Sequence, residues 1–110
     1  MDSYPLEISV EETARLLRDE SGRVQLIDVR EPDEHARCRI AGARHIPMRD
    51  IPAALGSLPR DKHLLIHCHH GSRSLRVTQW LRAQGLAAVS NVAGGIDEWA
   101  AKLDPAMRRY

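Results

Sequence analysis

The chain has 110 residues, of which 43% are hydrophobic, 28% charged and 4% aromatic, so it is too short for two independent domains. Sixteen Lys and Arg side chains are balanced by 15 Asp and Glu side chains. This balance excludes the strongly positive field by which many proteins bind nucleic acid or anionic membranes. We therefore expect one domain spanning residues 1–110, with neither nucleic acid nor a membrane as its partner.

The chain contains only two cysteines, Cys38 and Cys68. A disulfide framework is not expected in a chain that has enough aliphatic residues to form a core, and this favours a thiol-reducing compartment. The beginning of the chain lacks the basic flank and apolar stretch of a secretion signal, and no apolar run is long enough to span a bilayer. We expect a cytoplasmic protein.

The first half of the chain alternates helical and extended patterns. Ser9 and Glu12 form a capping-box pattern, which predicts a first helix that begins at Ser9 and stops before Gly22. The nearly continuous apolar run at 24–29 is typical of a strand that is covered on both faces of a parallel sheet. Three less regular segments follow: a short helix at 32–38, an extended piece at 44–46, and a helical turn at 50–55 capped by Asp50.

The second half of the chain continues the alternation with more regular segments. These are a strand at 64–67, a helix from Ser74 to Gly85, a strand at 88–92, and a helix at 96–103 after Gly94-Gly95. Strands that alternate with helices over short links predict an α/β fold. Its strands should be parallel, its crossovers right-handed, and its helices should cover both faces of the sheet.

The loop after strand 64–67 carries the residues that suggest chemistry, because ligands of open α/β sheets bind where strands end. It reads Cys68-His69-His70-Gly71-Ser72-Arg73-Ser74. The positive end of the following helix, the Arg73 guanidinium and any protonated fraction of His69 or His70 would all favour the Cys68 thiolate. Gly71 can adopt positive φ and turn successive amides inward as an anion nest. The loop therefore suits a nucleophile that holds or attacks a negatively charged group.

The same loop resembles the active-site loop of the rhodanese-like sulfurtransferases. Two further segments resemble motifs of that family: Asp28-Val29-Arg30 is similar to its Asp-Val-Arg motif, and 94–99 to its Gly-Gly-x-x-x-Trp signature. The resemblance runs in the family's order from about residue 8 to residue 103. It implies a rhodanese-like, three-layer α/β/α fold with a central, mainly parallel sheet of about five strands.

The resemblance also implies a reaction. In that family the loop cysteine takes a sulfane sulfur from a donor such as thiosulfate, becomes a persulfide, and passes the sulfur to cyanide or a thiol. The expected partners are thus a small anionic sulfur donor and a thiophilic acceptor, which could be a protein, and neither a cofactor nor a metal is expected. The residues expected to act are Cys68 and Arg73 as catalytic residues, His69, His70, Gly71, Ser72 and Ser74 as substrate contacts, and Asp28 and Arg30 as supports of the site.

Two other functions are kept as alternatives. The chain could be a sulfur carrier or protein-docking module that serves a dedicated partner. It could also be a phosphatase or arsenate reductase, since phosphatases of the same fold are known, but their loop has five residues between Cys and Arg. Only four residues separate Cys68 from Arg73, and this shorter loop favours sulfur transfer.

Several residues near these motifs have a structural interpretation. The stretch 38–43 replaces the family's Gly-His-Ile and Pro-Gly-Ala with Cys38-Arg39-Ile40 and Ala41-Gly42-Ala43, a change expected to affect substrate choice more than reaction class. Cys38 itself is expected to be dispensable. His67 should pack inward from its strand, and Trp80 and Trp99 should belong to the core.

Overall fold

The computed structural model describes residues 4–110, which form one five-stranded sheet covered by helices. The first three residues belong to the predicted domain and to the stretch assessed for a secretion signal, and they lie outside the described residues. The strands run in the order β1-β5-β4-β2-β3, and each neighbouring pair is parallel. Their bounds are Glu7–Ile8 (β1), Val24–Asp28 (β2), Arg44–His45 (β3), His63–His67 (β4) and Val89–Val92 (β5).

The helices lie on both faces of this sheet, which gives three layers. They are Val10–Asp19 (α1), Pro32–Arg37 (α2), Ile51–Ala54 (α3), Ser72–Ala83 (α4) and Gly95–Lys102 (α5). Side chains alternate along each strand, so Ile27 and Ile66 belong to one apolar cluster, which includes residues of α3 and α4. Leu26 and Leu65 belong to the other cluster, which includes residues of α1 and α5. The predicted α/β architecture with its parallel central sheet is confirmed.

The structure differs from the predicted elements at a few places. Strand β1 was not predicted, because two residues are too few to show a periodic pattern. Helix α4 begins two residues earlier than expected, since Gly71 adopts a φ of 110° and caps it. The Asp50 side chain makes no capping hydrogen bond to the helical segment that follows it.

The prediction that Trp80 belongs to the core is wrong. Helix α4 buries Ser74, Val77, Thr78 and Leu81, which recur at helical spacing, and position 80 lies outside that stripe. Trp80 is accordingly exposed, whereas Trp99 is partly buried against the α1 and α5 cluster.

Within residues 4–110, no helix has the length and apolar character needed to cross a lipid bilayer.

Candidate active site

Cys68 follows the middle strand of the sheet and precedes the N-terminus of α4. Strand β4 has β5 on one side and β2 on the other, so the residue after it lies at the centre of the sheet's carboxyl edge. The Cys68 side chain is 1% exposed and is packed in the cluster beneath α4. The fold thus holds the thiol at the positive end of a 12-residue helix.

The sulfur of Cys68 receives hydrogen bonds from the first turn of that helix. The backbone N–H of Gly71 donates to Sγ at 3.1 Å, and the N–H of Ser74 at 3.4 Å. The Ser74 hydroxyl oxygen lies 3.3 Å from the same sulfur. Backbone N–H groups that converge on a sulfur stabilise its negative form, so this arrangement favours a thiolate or another anionic sulfur species.

Helix α5 holds the loop from the opposite side. The N–H of Ile96 donates to the carbonyl of Cys68 at 2.9 Å, and the N–H of Asp97 to the carbonyl of His69 at 3.1 Å. Gly95 makes this approach possible, because a Cβ on it would lie 2.5 Å from both of those carbonyl oxygens. Gly95, the first residue of α5, therefore lets two backbone segments meet.

Arg73 is bound to helix α2. Its Nη1 and Nη2 donate to the two carboxylate oxygens of Glu34 at 2.6 and 2.9 Å. These bonds lower the pKa of Glu34 to about 2, so the carboxylate is charged at neutral pH and offsets the Arg73 charge. The donors to Cys68 Sγ found in residues 4–110 come from Gly71 and Ser74 and do not include Arg73.

Tyr110 joins the same group of side chains from the far end of the chain. Its hydroxyl accepts a hydrogen bond from Arg30 at 2.9 Å and donates one to Glu34 at 2.8 Å. Burial, with the Glu34 carboxylate, raises the pKa of Tyr110 to about 12, which keeps the phenol protonated. Its ring stacks on His69 with the ring centres 3.9 Å apart. Neither Tyr110 nor Glu34 was identified from the sequence, because no local motif connects them to the loop.

Asp28 and Arg30 are both fully buried and form an ion pair of 2.8 Å between Oδ2 and Nη2. Burial opposes the charged form of Asp28, but hydrogen bonds from Arg30 and His35 outweigh it and hold the pKa of this carboxyl well below its usual range. Arg30 also donates to the backbone carbonyls of Glu34 and Cys38 at 3.2 and 2.6 Å. The pair therefore fixes α2 against the end of β2.

The three histidines around the nucleophile differ in their environments. His67 is fully buried, and this burial lowers its pKa to about 4, so it is neutral at pH 7. His69 is half-buried between His70 and Tyr110, and burial also lowers its pKa. His69 thus adds little positive charge to the loop at neutral pH. His70 is exposed, with Nδ1 3.9 Å from Asp97.

The two cysteines lie on opposite sides of the sheet. Cys68 belongs to the cluster beneath α4, and the half-buried Cys38 packs against the cluster beneath α1 and α5. Cys38 Sγ lies 3.8 Å from Nη1 of Arg30.

Ser72, a predicted substrate contact, is the exposed first residue of α4.

Comparisons with known proteins place the chain in a family. A family model described as a rhodanese-like domain matches residues 9–102. The chain is 37% identical over 94 residues to a sulfurtransferase of Allochromatium vinosum, covering 86% of this chain and 87% of that protein. It is 35% identical over 109 residues to the human thiosulfate:glutathione sulfurtransferase, covering 86% and 93% of the two chains.

The fold is also similar to solved structures. A rhodanese-like domain protein from Staphylococcus aureus superposes with a TM-score of 0.80 at 34% identity, covering 96% of this chain and 99% of that one. A longer relative is the chloroplastic rhodanese-like/PpiC domain-containing protein 12 of Arabidopsis thaliana, to which the chain is 34% identical over 110 residues. The match covers 94% of this chain but only 37% of that protein.

Proposed function

The chain belongs to the rhodanese-like domain family and within it to the rhodanese-type sulfurtransferases, and we propose that it moves a sulfane sulfur from thiosulfate to a thiophilic acceptor through a persulfide on Cys68. The observation that carries the proposal is the pair of helix amides, Gly71 N–H and Ser74 N–H, that donate to Cys68 Sγ. Such donors stabilise both the attacking thiolate and the persulfide anion that replaces it.

The proposed cycle has two displacements on one sulfur atom. The Cys68 thiolate attacks the outer sulfur of thiosulfate, an S–S bond to Sγ forms, and the S–S bond of thiosulfate breaks as sulfite leaves with the electron pair. Cyanide or a thiolate then attacks the outer sulfur of the persulfide. The new bond to the acceptor forms as the bond to Sγ breaks, and the Cys68 thiolate is restored.

Access to the sulfur is a separate requirement of this cycle. Because Cys68 is 1% exposed, a donor reaches Sγ only after neighbouring side chains move. Arg73 is suited to respond to an anionic donor, since its guanidinium could exchange the Glu34 carboxylate for the donor's sulfonate oxygens. We propose that this exchange draws thiosulfate to the loop.

The proposal extends to partners and compartment. The donor is a small anion, and the acceptor is a small thiophile or a thiol, in line with the name of the human relative. Persulfide chemistry on a free thiol is compatible with the thiol-reducing cytoplasm, where we propose that the protein works.

Intact-mass measurement after incubation with thiosulfate tests this function. We expect the mass of one sulfur atom to be added to the parent protein and to be removed by cyanide, with thiocyanate released. The same adduct is expected on Cys38→Ser, which serves as the matched control, and none on Cys68→Ser. An adduct that persists on Cys68→Ser, or a parent protein that takes up no sulfur, would overturn the proposal.

A further inference from the structure

Asn91 of strand β5 contacts the nucleophile's loop, although no sequence motif pointed to it. Its side chain is fully buried and uses both ends of its amide. Nδ2 donates to the carbonyl of Gly71 at 3.1 Å and to a carboxylate oxygen of Glu7 at 3.0 Å. Oδ1 lies 2.5 Å from the hydroxyl oxygen of Ser74, which in turn lies 3.3 Å from Cys68 Sγ.

The partners of this amide fix its orientation. A carbonyl and a carboxylate only accept hydrogen bonds, so the end of Asn91 that faces Gly71 and Glu7 must be the NH₂ group. The oxygen must then face Ser74. Because an amide oxygen only accepts, the Ser74 hydroxyl has to donate its single proton to Asn91.

This direction determines what Ser74 offers to the nucleophile. With its proton committed to Asn91, the Ser74 oxygen presents a lone pair to Cys68 Sγ, and a lone pair is a partner for a thiol S–H and not for a thiolate. When Cys68 ionises, the hydroxyl can donate to the sulfur only by rotating away from Asn91. The buried Asn91 oxygen then loses its partner, and leaving a buried acceptor unpaired costs free energy.

We propose that Glu7 and Asn91 form a positioning pair that directs the Ser74 proton away from Cys68 and thereby makes ionisation of the nucleophile harder than the loop amides alone would. The inference rests on the proposed function only in taking Cys68 as the nucleophile. A thiolate that forms too readily is also a weaker nucleophile, so such a brake keeps the attacking sulfur reactive.

The pH dependence of Cys68 alkylation by iodoacetamide tests the pair, measured in Cys38→Ser protein so that one thiol reacts. Asn91→Ala frees the Ser74 proton for the sulfur, and we expect the midpoint of the alkylation profile to move to lower pH by about one unit, the scale of one hydrogen bond to a charged group. Adding Ser74→Ala to Asn91→Ala should abolish that shift. Ser90→Ala is the matched control, because Ser90 is the buried neighbour whose hydroxyl bonds to Pro5 and His63; it should leave the midpoint unchanged.

Two results would overturn the inference: a midpoint in Asn91→Ala that stays or rises, or a downward shift that survives Ser74→Ala. If Asn91→Ala does not fold, Glu7→Leu replaces it, since Glu7 is exposed. Removing the Glu7 charge should by itself shift the midpoint by the same amount whether or not Ser74 is present. Only the part of the shift that disappears in Glu7→Leu/Ser74→Ala therefore supports the pair. If no part of the shift disappears, the pair is refuted. Alkylation requires no sulfur donor, so failure of the thiosulfate test would not be mistaken for failure here.

Discussion

Two parts of the site are built in different ways. The sulfur cradle is formed by the loop 68–74 and the start of α5. Backbone N–H groups of the loop donate to the Cys68 sulfur, and backbone N–H groups of α5 donate to the loop carbonyls. The mouth, formed by Glu34, Arg73, Tyr110 and His69, is held by side chains that come from distant parts of the chain. The Cys68 side chain is 1% exposed, whereas Arg73 is 31% exposed.

Because the two parts are built differently, changes in them are expected to affect different properties of the protein. Backbone donors cannot be deleted by changing a side chain, so the cradle is altered chiefly where a glycine permits a close approach. Arg73, whose side chain is partly exposed, can be replaced with less effect on folding than a buried group. We therefore expect changes in the cradle to affect folding and all chemistry together, and changes in the mouth to affect how well a particular donor is used.

The largest expected effect is that of Gly95→Ala, which tests the cradle directly. The new Cβ would lie 2.5 Å from two backbone oxygens at a residue whose φ is 58°, so we expect a loss of about 3 kcal/mol in the free energy of unfolding, with sulfur transfer abolished. Urea denaturation measures the first and thiocyanate release the second. Gly22→Ala is the control, because nothing lies within 4 Å of its Cβ. Equal stability of the two variants would show that the cradle does not depend on this approach.

Lowering the pH should destabilise the layer beneath the cradle. Burial lowers the pKa of His67 to about 4, against 6.5 for the free side chain. Between these two pH values the unfolded chain binds a proton at His67 and the folded chain does not. The stability contributed by neutral His67 is therefore complete above pH 6.5 and is lost as the pH falls towards 4. Between pH 7 and pH 5 we expect the free energy of unfolding to fall by about 2 kcal/mol from this residue.

Denaturation curves of the parent and of His67→Gln at both pH values measure this effect. The pKa of His63 and of His69 is also lowered, so part of the loss should remain in the variant. A parent and variant that lose equal stability would assign the pH dependence elsewhere.

At the mouth, the larger effect is expected for Arg73→Ala. We expect turnover with thiosulfate to fall at least about tenfold, or roughly 1.4 kcal/mol of transition-state stabilisation, because the anionic donor loses a cation and meets an unpaired Glu34 carboxylate. Arg73→Lys should recover part of the rate, since it restores charge without the planar fork. Steady-state kinetics beside Arg76→Ala, an exposed arginine on the same helix, decides the matter. Parent-like turnover in Arg73→Ala would remove Arg73 from the catalytic residues.

The smallest effect is expected for Glu34→Gln. Loss of the carboxylate leaves the Arg73 charge available to the donor, so kcat/KM for thiosulfate should rise by about threefold at low ionic strength and return towards the parent value as salt is added. The control is Glu31→Gln at the N-terminal end of the same helix α2, which removes an exposed carboxylate that binds Arg49. It should show no such gain. A gain that is independent of salt would argue against an electrostatic role.

The same division explains what could be predicted from the sequence. The parallel sheet and the loop at its edge were predicted because apolar runs, Gly71 and the spacing from Cys68 to Arg73 are local signals. The partners of Arg73 and Asn91 were not, since Glu34 lies 39 positions from Arg73 and Glu7 lies 84 positions from Asn91. Contacts at such separations depend on strand order and helix packing, which no short motif records.

The strand order also has a consequence for the growing chain. Among the strands of residues 4–110, β1 comes first in the chain and pairs with β5, which comes last. The amides of Ile96 and Asp97, which bind the loop carbonyls of Cys68 and His69, come later still. Residues 7–8 therefore meet their partner strand only when the last fifth of the described chain has been made. During synthesis Cys68 likewise emerges well before the α5 amides that hold its loop. Contacts between distant segments form slowly, so completion of the site is expected to be a late event in folding.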